Sequence, residues 1–389
     1  MKTALPLLAL AAVATLLLYS CKKTSNAPAA TTATTDTLFT VTALNSPEAG
    51  QIFLSLDNAS NGVLFVLDQN GLIRKRLSLG PTVANLEKWT VNGQVRYTYS
   101  QSDANGFKIP GVSNLPGYEV VCDSNFNVLQ RIQLSSYGTL NTSEQKDIDG
   151  HDFILIDDNH YITETYYEKT VNNIPSSLNP ASTVTVAAII IQEVQNGSVI
   201  WQWDGTNYPE FYTTSVEGNG FSDSTVVADY MHLNSMYIDP RDNNLICSFR
   251  NMDQVIKINR QTGAIVWRLG GSNSDFPITS DQQFLRQHCV TLTDSNQTLL
   301  VFDDGEATQR PSTRILEFKL DETGHTITSY KAFAVPEPFT GYEGSVHKRG
   351  DTYFIGGGTA NYVLEVNYTT GQKLLEIQQK ETSYRALKY

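Results

Sequence analysis

The feature that most constrains the fold of this chain is a strand–turn–strand unit that recurs several times. One copy opens at His232 and another at His288, and these two residues lie 56 positions apart. Further copies open at His151 and at Gly344, and less distinct ones precede position 150. Each copy contains about four short runs of apolar, β-branched and aromatic residues separated by turn residues, a pattern typical of consecutive hairpins.

Four-stranded repeats of this length are typical of the blades of a β-propeller. No stretch has the periodicity of a long amphipathic helix. A pair of β-sandwiches would not explain why the same motif returns at equivalent positions. The chain beyond its N-terminal region has about 350 residues, too many for one ordinary core, and a period near 56 divides it into about six units. We therefore predict an all-β protein formed by a single β-propeller of six four-stranded antiparallel blades.

The N-terminus has the features of an export signal. Met1 and Lys2 give a positive start, an apolar run follows at 5–18, and Ser20 stands before Cys21. The run is shorter than the roughly 20 residues of a membrane-spanning helix. A cysteine at this point resembles a bacterial lipobox, in which it receives acyl chains; the alternative is an ordinary signal peptide.

This N-terminal pattern divides the chain into three parts. We expect a signal peptide at 1–21, a flexible tether of small and polar residues at 22–37, and the propeller at 38–389. The protein would then be exported and held by lipid on the periplasmic or cell-surface side of a bacterial membrane, with the choice of inner or outer membrane open.

The charge of the chain argues against a nucleic-acid partner, and its cysteine content argues against a disulfide framework. The formal net charge is −12 and no basic cluster occurs, so nucleic acid is not an expected partner. Besides Cys21 the chain has Cys122, Cys247 and Cys289. An odd number without metal-binding spacing argues against a disulfide framework, and we interpret these three as small buried apolar residues.

The histidines supply the candidate site. His151, His232 and His288 stand at the same place in their repeats, at the start of the first strand. The first strand of each propeller blade lines the central channel, so these three imidazoles should converge there. Converging imidazoles either bind a metal through neutral nitrogens or act as nucleophile and proton carrier. We interpret His160 and His325 as solvated turn residues.

Arginines near these positions favour the second chemistry. Their planar forks suit a bidentate oxyanion such as sulfate or phosphate, whereas a metal shell would need carboxylates. We therefore expect no metal at the site and no cofactor, while a structural calcium ion in the Asp-rich turns stays an open alternative. We interpret Asp303 and Asp304 mainly as turn formers. The arginines concerned are Arg250, Arg286, Arg310 and Arg314.

Several short segments, taken in order, resemble the bacterial arylsulfotransferases. The resemblance is clear over 150–389 and weak over 38–149. The segments that carry it are GHDF at 150–153, HLNSM at 232–236, SFRN at 248–251, RQTG at 260–263, IVWRLGG at 265–271, QH at 287–288, FDDG at 302–305, TRILE at 313–317 and YRA at 384–386.

The resemblance implies a six-bladed propeller that transfers a sulfuryl group from an aryl sulfate to a phenol without a nucleotide sulfate. It implies that one histidine in the funnel becomes a sulfo-histidine, while other histidines and an arginine neutralise the sulfate oxygens and carry the phenolic proton. The expected partners are therefore small aryl sulfates and phenols, with membrane contact only through the lipid.

Transferred residue by residue, the resemblance gives five candidate site residues. His232 and His288 match catalytic histidines of the family, and His151 is expected nearby. The family arginine follows a segment like 302–305; Arg314 is preferred over Arg310 because it begins a strand. His347 is the candidate for a further histidine, although alignment of the repeats places the funnel position nearer Tyr342 or Glu343. The identity of the nucleophile therefore stays open.

Two other hypotheses compete with the sulfotransferase. A non-catalytic lipoprotein propeller that binds a ligand or a protein would account for the missing arginine after Gly305 and for the unplaced histidine. A metal or quinone propeller enzyme would use the same converging histidines. Segment 207–228, an aromatic and polar insertion before His232, is expected to shape access to the site.

Overall fold

The computed structural model describes residues 36–58, 61–80, 82–143 and 145–389. Cys21, the proposed signal peptide and most of the proposed tether lie outside these residues. Within them the secondary structure is strands and short 3-10 turns without an α-helix, and no helix is long and apolar enough to span a bilayer.

The strands of the first half alternate with short turns. They are β1 (Phe39–Leu44), β2 (Ile52–Asn58), β3 (Asn61–Leu67), β4 (Ile73–Ser78), β5 (Val83–Val91), β6 (Gln94–Ser102), β7 (Pro116–Asp123), β8 (Val128–Ile132), β9 (Ile148–Asp149), β10 (Phe153–Asp157), β11 (His160–Val171), β12 (Val184–Gln195), β13 (Ser198–Asp204) and β14 (Val227–Ala228).

The second half continues in the same manner. Its strands are β15 (Leu233–Ile238), β16 (Leu245–Phe249), β17 (Gln254–Ile258), β18 (Ile265–Gly270), β19 (His288–Thr293), β20 (Thr298–Asp303), β21 (Arg314–Asp321), β22 (Thr326–Ala334), β23 (Ser345–Arg349), β24 (Thr352–Gly356), β25 (Tyr362–Asn367), β26 (Lys373–Gln379) and β27 (Ala386–Lys388). The 3-10 segments are Ser176–Leu178, Gly205–Asn207, Pro209–Thr213, Arg250–Met252 and Gly358–Ala360.

These strands form six antiparallel sheets, and each sheet is one blade. The blades are β27-β2-β3-β4, β5-β6-β7-β8, β10-β11-β12-β13, β15-β16-β17-β18, β19-β20-β21-β22 and β23-β24-β25-β26. The first strands contact one another in a closed circle, in the order β5, β10, β15, β19, β23, β27 and back to β5. The predicted six-bladed all-β propeller is therefore confirmed.

Both ends of the described chain close this circle. Strand β1 adds a fifth strand to the last blade, where Phe39 pairs with Gln379. Strand β27 supplies the inner strand of the first blade, where Ile52 pairs with Lys388. Backbone hydrogen bonds thus hold the N-terminal strand in the last blade and the C-terminal strand in the first blade, so the chain itself crosses between these two blades at both ends.

A local sequence signal builds the hairpin between the two outer strands of a blade. The side chain of Asn259 accepts from the amides of the next two turn residues, and Gly263, with φ 77°, closes the turn onto the Asn259 carbonyl at 2.8 Å. Asn367 and Gly371 repeat this arrangement in the last blade. The Asn side chain accepts hydrogen bonds from turn amides that would otherwise bind water, and glycine adopts the positive φ without a steric clash of a Cβ atom.

The core lies between neighbouring blades. Trp267 of one blade packs in a single cluster with Val290 and Leu316 of the next, and all three side chains are buried. Burying an aliphatic side chain of this size contributes about 1.5–3 kcal/mol. Outermost strands such as β22 are largely exposed. The predicted burial of Cys122, Cys247 and Cys289 is confirmed, and their thiols are free.

Candidate functional site

Three histidines meet where the inner strands begin. His288 is the first residue of β19, His232 directly precedes β15, and His151 lies two residues before β10. The rings of His151 and His232 are 5.0 Å apart, edge to face. The ring of Tyr384 lies 5.4 Å from His151 and 6.4 Å from His288. All three imidazoles are buried, so the structure brings together the three residues that the repeat pattern had placed in register.

Each imidazole is held by a carboxylate at Nδ1. His232 Nδ1 lies 2.7 Å from Asp229 and His288 Nδ1 lies 2.6 Å from Asp304, while His151 Nδ1 contacts Asp149. We assign the imidazole proton to Nδ1, where it faces a carboxylate oxygen that can accept it, and the lone pair to Nε2. Three Nε2 atoms prepared to accept a proton or attack an electrophile are thereby gathered in one channel.

His288 is held in the neutral form. Burial lowers the pKa of His288 well below 6.5, and the positive charge of Arg250 and the two neighbouring histidines lower it further. The amide of Glu343 donates to His288 Nε2 at 3.3 Å, which is consistent with a lone pair on that atom. Burial raises the pKa of Asp304, and Arg250 opposes that shift. His288, Asp304 and Arg250 therefore form one electrostatic unit.

Arg250 is the arginine at this unit. It begins the 3-10 turn Arg250–Met252 after β16, and only 6% of it is exposed. Its guanidinium donates to Asn251 at 2.7 Å, approaches Glu217 at 3.1 Å and lies 4.9 Å over the ring of Tyr342. Its Nε has no hydrogen-bond partner among the described residues. A buried, unpaired donor beside neutral His288 is a ready contact for an oxyanion.

Arg314 and Arg310 have other partners. Arg314 donates to Asp303 at 2.9 Å and to the carbonyls of Asp281 and Gln283 at 3.0 and 2.9 Å. Arg310 binds both oxygens of the same Asp303, at 2.6 and 2.7 Å. Within the described chain we find no contact between Arg314 and the three histidines. Arg314 and Arg310 are therefore bound within their own blade, and Arg250 is the arginine whose charge acts on the site.

Asp303 and Asp304 are more than turn formers. Both are fully buried; Asp303 binds the two arginines, and Asp304 orients His288. The turn interpretation was wrong because β20 extends through Asp303, so the pair lies at the end of a buried strand. A sequence signal for the partners of the other histidines did exist: Asp149 and Asp229 stand two and three residues before their histidines.

His347 lies elsewhere. It is the third residue of β23, and its ring is 6.2 Å from that of Tyr389. Burial lowers its pKa to about 4, with Arg385 adding to the shift. Glu343 stands at the channel position instead: its φ of 67° parallels the 55° of His232, and its amide contacts His288. The alignment that placed this position near Tyr342 or Glu343 agrees with the structure.

The remaining histidines differ from each other. His325 is exposed, in agreement with the sequence interpretation. His160 is half-buried and its Nε2 lies 2.6 Å from Glu193, which also binds Arg260 at 2.6 Å. The interpretation of His160 as solvated was wrong because β11 begins at this residue and directs it into an inter-blade ion network.

A second layer lies under the histidines. The hydroxyls of Tyr166 and Tyr384 donate to the carbonyls of Leu233 and Asn234 at 2.6 and 2.9 Å, and Arg385 pairs with Asp152 at 3.0 Å. Further along the channel is a cavity of about 710 Å³, which Asp152, Arg385 and His347 help to line. The tyrosine hydroxyls are tied to backbone, so they fix the floor of the site.

Two groups of side chains have the spacing of a cation site. Asp149, His151 and Glu164 place ligand atoms within 4.8 Å of one another, as do Asp239, Asp242 and Glu322. In the second group Lys257 already lies 2.7 Å from Asp239. In the first, burial and the nearby Asp149 raise the pKa of Glu164 well above 4.5. A cation there would displace the Nδ1 proton that joins His151 to Asp149.

Fold and site together define a class of protein: a six-bladed propeller whose channel gathers three carboxylate-oriented histidines beside a buried arginine. A family model described as arylsulfotransferase (ASST) matches residues 23–389. The chain therefore belongs to the arylsulfotransferase family, and the resemblance noted from its segments is confirmed. Membership indicates an aryl sulfotransferase in general, with aryl sulfates and phenols as the class of substrates.

The solved structures with a similar course of the chain share little sequence identity with it. One is a protein of unknown function from Bacteroides caccae, with 9% identity, coverage of 88% of this chain and 99% of that one, and a TM-score of 0.47. Another is a periplasmic gluconolactonase of Pseudomonas aeruginosa, with 10% identity, 86% and 98% coverage, and a TM-score of 0.45. At these values neither carries an argument about function. No curated protein matches the chain significantly.

Proposed function

We propose that this protein transfers a sulfuryl group from an aryl sulfate to a phenol through a sulfo-histidine intermediate, without a nucleotide donor. The observation that carries the proposal is the arrangement of His288: its Nδ1 is bound to Asp304 at 2.6 Å, and the positive charge of Arg250, whose Nε has no hydrogen-bond partner among the described residues, lowers its pKa. Positioning and charge stabilisation do most of the work in transfers of this kind.

His288 is the proposed nucleophile. A nucleophilic imidazole must be neutral, and burial keeps the pKa of His288 well below the physiological range. In the first step Nε2 attacks sulfur, and the bond between sulfur and the aryl oxygen breaks with its electron pair going to that oxygen. The N-sulfo-imidazolium keeps its Nδ1 proton, and Asp304 balances its positive charge.

The His151–His232 pair is the proposed proton carrier. The proposal requires that the donor binds while His232 carries a second proton, on Nε2; His232 gives this proton to the departing aryl oxygen, while Asp229 at 2.7 Å holds its Nδ1. In the second step neutral His232 takes the proton of the acceptor phenol, whose oxygen attacks sulfur as the bond to Nε2 breaks. Atoms and charges balance, since the donor's phenol leaves with the proton that the acceptor supplies.

Turnover of a chromogenic donor tests this proposal. The purified protein should release 4-nitrophenol from 4-nitrophenyl sulfate repeatedly only when a phenol acceptor is present, with at most one equivalent per chain in its absence, and His288→Ala should abolish the release. Acid-labile sulfate retained on the wild-type chain after a single exposure to donor would identify the intermediate. Wild-type protein that stays inactive across a panel of phenols would overturn the proposal.

One observation favours the second candidate function, a non-catalytic propeller that binds its ligand. Glu343, a carboxylate, stands at the channel position for which the sequence had suggested a further histidine. A carboxyl group at this position cannot serve as the additional histidine that the resemblance implies. Stoichiometric binding of 4-nitrophenyl sulfate without turnover with any acceptor would support this alternative.

We also propose export and lipid anchoring through Cys21. The support is the order of charge, apolar run and cysteine in the sequence. Cells fed a labelled fatty acid should label the wild-type chain and not Cys21→Ala. Equal labelling of both would rule out this anchor.

A further inference from the structure

A carboxylate from the insertion before His232 reaches two buried arginines at the edge of the site. One oxygen of Glu217, Oε2, lies 2.6 Å from Arg286 Nε and 3.1 Å from Arg250 Nη1. The arginine side chains are 10% and 7% exposed, whereas that of Glu217 is 43% exposed. The two cations are therefore built into the fold, and their shared anion is at the surface.

The arginines form the floor of a cleft with aromatic walls. The cleft has a volume of about 370 Å³ and is lined by Arg250, Arg286, Glu217, Phe339 and Tyr342 among others. This volume lies within the range of small-molecule sites. A pair of guanidinium groups below two aromatic rings matches an aryl group that carries an oxyanion, because arginine forks bind sulfate-like oxygens and aromatic faces stack on aryl rings.

Two carboxylates, Asp253 and Glu217, balance the two guanidinium groups, and a third carboxylate, Glu306, also lines the cleft. Arg286 keeps a fixed partner, because its Nη1 and its own amide both bind Asp253 at 2.7 Å. Glu217 supplies the second negative charge. Partial burial raises the pKa of Glu217, but Arg250 and Arg286 outweigh this and lower it, so the carboxylate is ionised at neutral pH. Replacing it with a monoanionic sulfate ester would preserve the charge of the cluster.

The backbone that carries Glu217 is packed against its neighbours, whereas its side chain is partly exposed and held by its two arginine partners. Val216 donates to the Asn251 carbonyl at 2.8 Å. Gly218 has φ 66°, and a Cβ there would meet the Asp229 carbonyl at 2.1 Å, so the loop is seated against the partner of His232. Only the exposed carboxylate would need to move for an anion to reach the arginines.

We propose that Arg250 and Arg286 form the subsite for the donor's sulfate group, and that Glu217 is a resident anion which the donor displaces. This inference rests on the proposed function. It makes Glu217 a specificity residue: neutral aryl compounds do not displace it, and only an anionic ester competes for the two guanidinium groups. Arg250 links the subsite to the histidines, because its amide donates to the His232 carbonyl at 2.9 Å and its positive charge lowers the pKa of His288.

Glu217→Gln tests the inference with inorganic sulfate as the probe. We expect the variant to bind sulfate about 3- to 10-fold more tightly in calorimetry, and the KM for 4-nitrophenyl sulfate to fall by a similar factor with little change in kcat. Glu217→Asp keeps the charge but has a shorter side chain, so its sulfate affinity should lie between those of wild type and Glu217→Gln. It replaces Glu217→Gln in the test if that variant does not fold.

Glu210→Gln is the matched control. Glu210 lies in the same insertion, is 44% exposed and pairs with Arg268 at 3.2 Å, outside the cleft. It should leave sulfate affinity unchanged. Normal turnover with an unchanged KM in Glu217→Gln, or equal gains in both variants, would overturn the inference. Tighter sulfate binding by Glu217→Gln in a protein without turnover would instead reject the proposed transfer and retain the anion subsite.

Discussion

Replacing Asp304 with asparagine separates the role of this residue in catalysis from its role in stability. The substitution keeps the shape of the side chain but removes the charge that faces His288 Nδ1 at 2.6 Å. A hydrogen bond to a buried charged group contributes about 1.5–3 kcal/mol. Since each 1.36 kcal/mol is a factor of ten in rate, kcat should fall about 10- to 150-fold.

The loss would be larger if the new amide turned its NH₂ group toward Nδ1. The proton of His288 would then move to Nε2, and the nucleophilic lone pair would be lost. The same change in the carboxylate of a Ser–His–Asp triad lowers kcat about 10⁴-fold. The drop in kcat thus reports which way the amide is oriented.

Stability should not follow activity in Asp304→Asn. Asp304 is fully buried, and its Oδ1 has no hydrogen-bond partner among the described residues. Burying a charge costs more than burying an amide of the same size. We therefore expect the free energy of unfolding in urea to stay within about 1 kcal/mol of wild type or to rise.

Two measurements decide the matter. Nitrophenol release gives kcat, and urea unfolding shows whether the variant is folded and as stable as expected. A less than fivefold loss of kcat in folded Asp304→Asn would refute the assignment of the nucleophile to His288.

Two further predictions concern residues that the structure moved away from the histidines. Arg314→Ala should lower the free energy of unfolding by about 3 kcal/mol, because Asp303 loses a buried partner. Arg250→Ala should instead mainly lower kcat/KM. Urea unfolding and kinetics with the aryl sulfate donor are measured on both variants, and the opposite pattern would place Arg314 at the site. For His347 the folded pKa of about 4 lies below the unfolded value of 6.5, so the unfolded state binds the proton first and stability falls as pH drops from 6.5 toward 4. His347→Gln should flatten that slope in urea unfolding at pH 7 and pH 5, and an unchanged slope would contradict the assignment.

The sequence was sufficient for the architecture because a propeller is periodic. Each blade needs four short strands with turn residues between them, and the copies at His232 and His288 display this spacing directly. The convergence of the three histidines follows from the same periodicity, since equivalent positions on inner strands face one axis. The Asn259 turn and its copy at Asn367 are local signals that act within five residues.

The errors arise where a small offset along a strand matters. Glu343 precedes β23, whereas His347 is the third residue of that strand, so the two side chains lie at different depths along the blade. A histidine in the expected blade was therefore at the wrong depth. Asp304 was misassigned in a similar way, because one further residue of β20 changes a surface turn into a buried strand end.

The sequence by itself determined the fold class, the number of blades and the three histidines at the channel. Only the tertiary structure decided which charged groups meet them. Arg250 and Glu217 come from a turn and an insertion whose paths no repeat specifies, and long side chains reach partners far along the chain. A periodic backbone determines where the inner strands begin, but the pairing of Arg250, Arg286 and Glu217 depends on how irregular segments pack onto that frame.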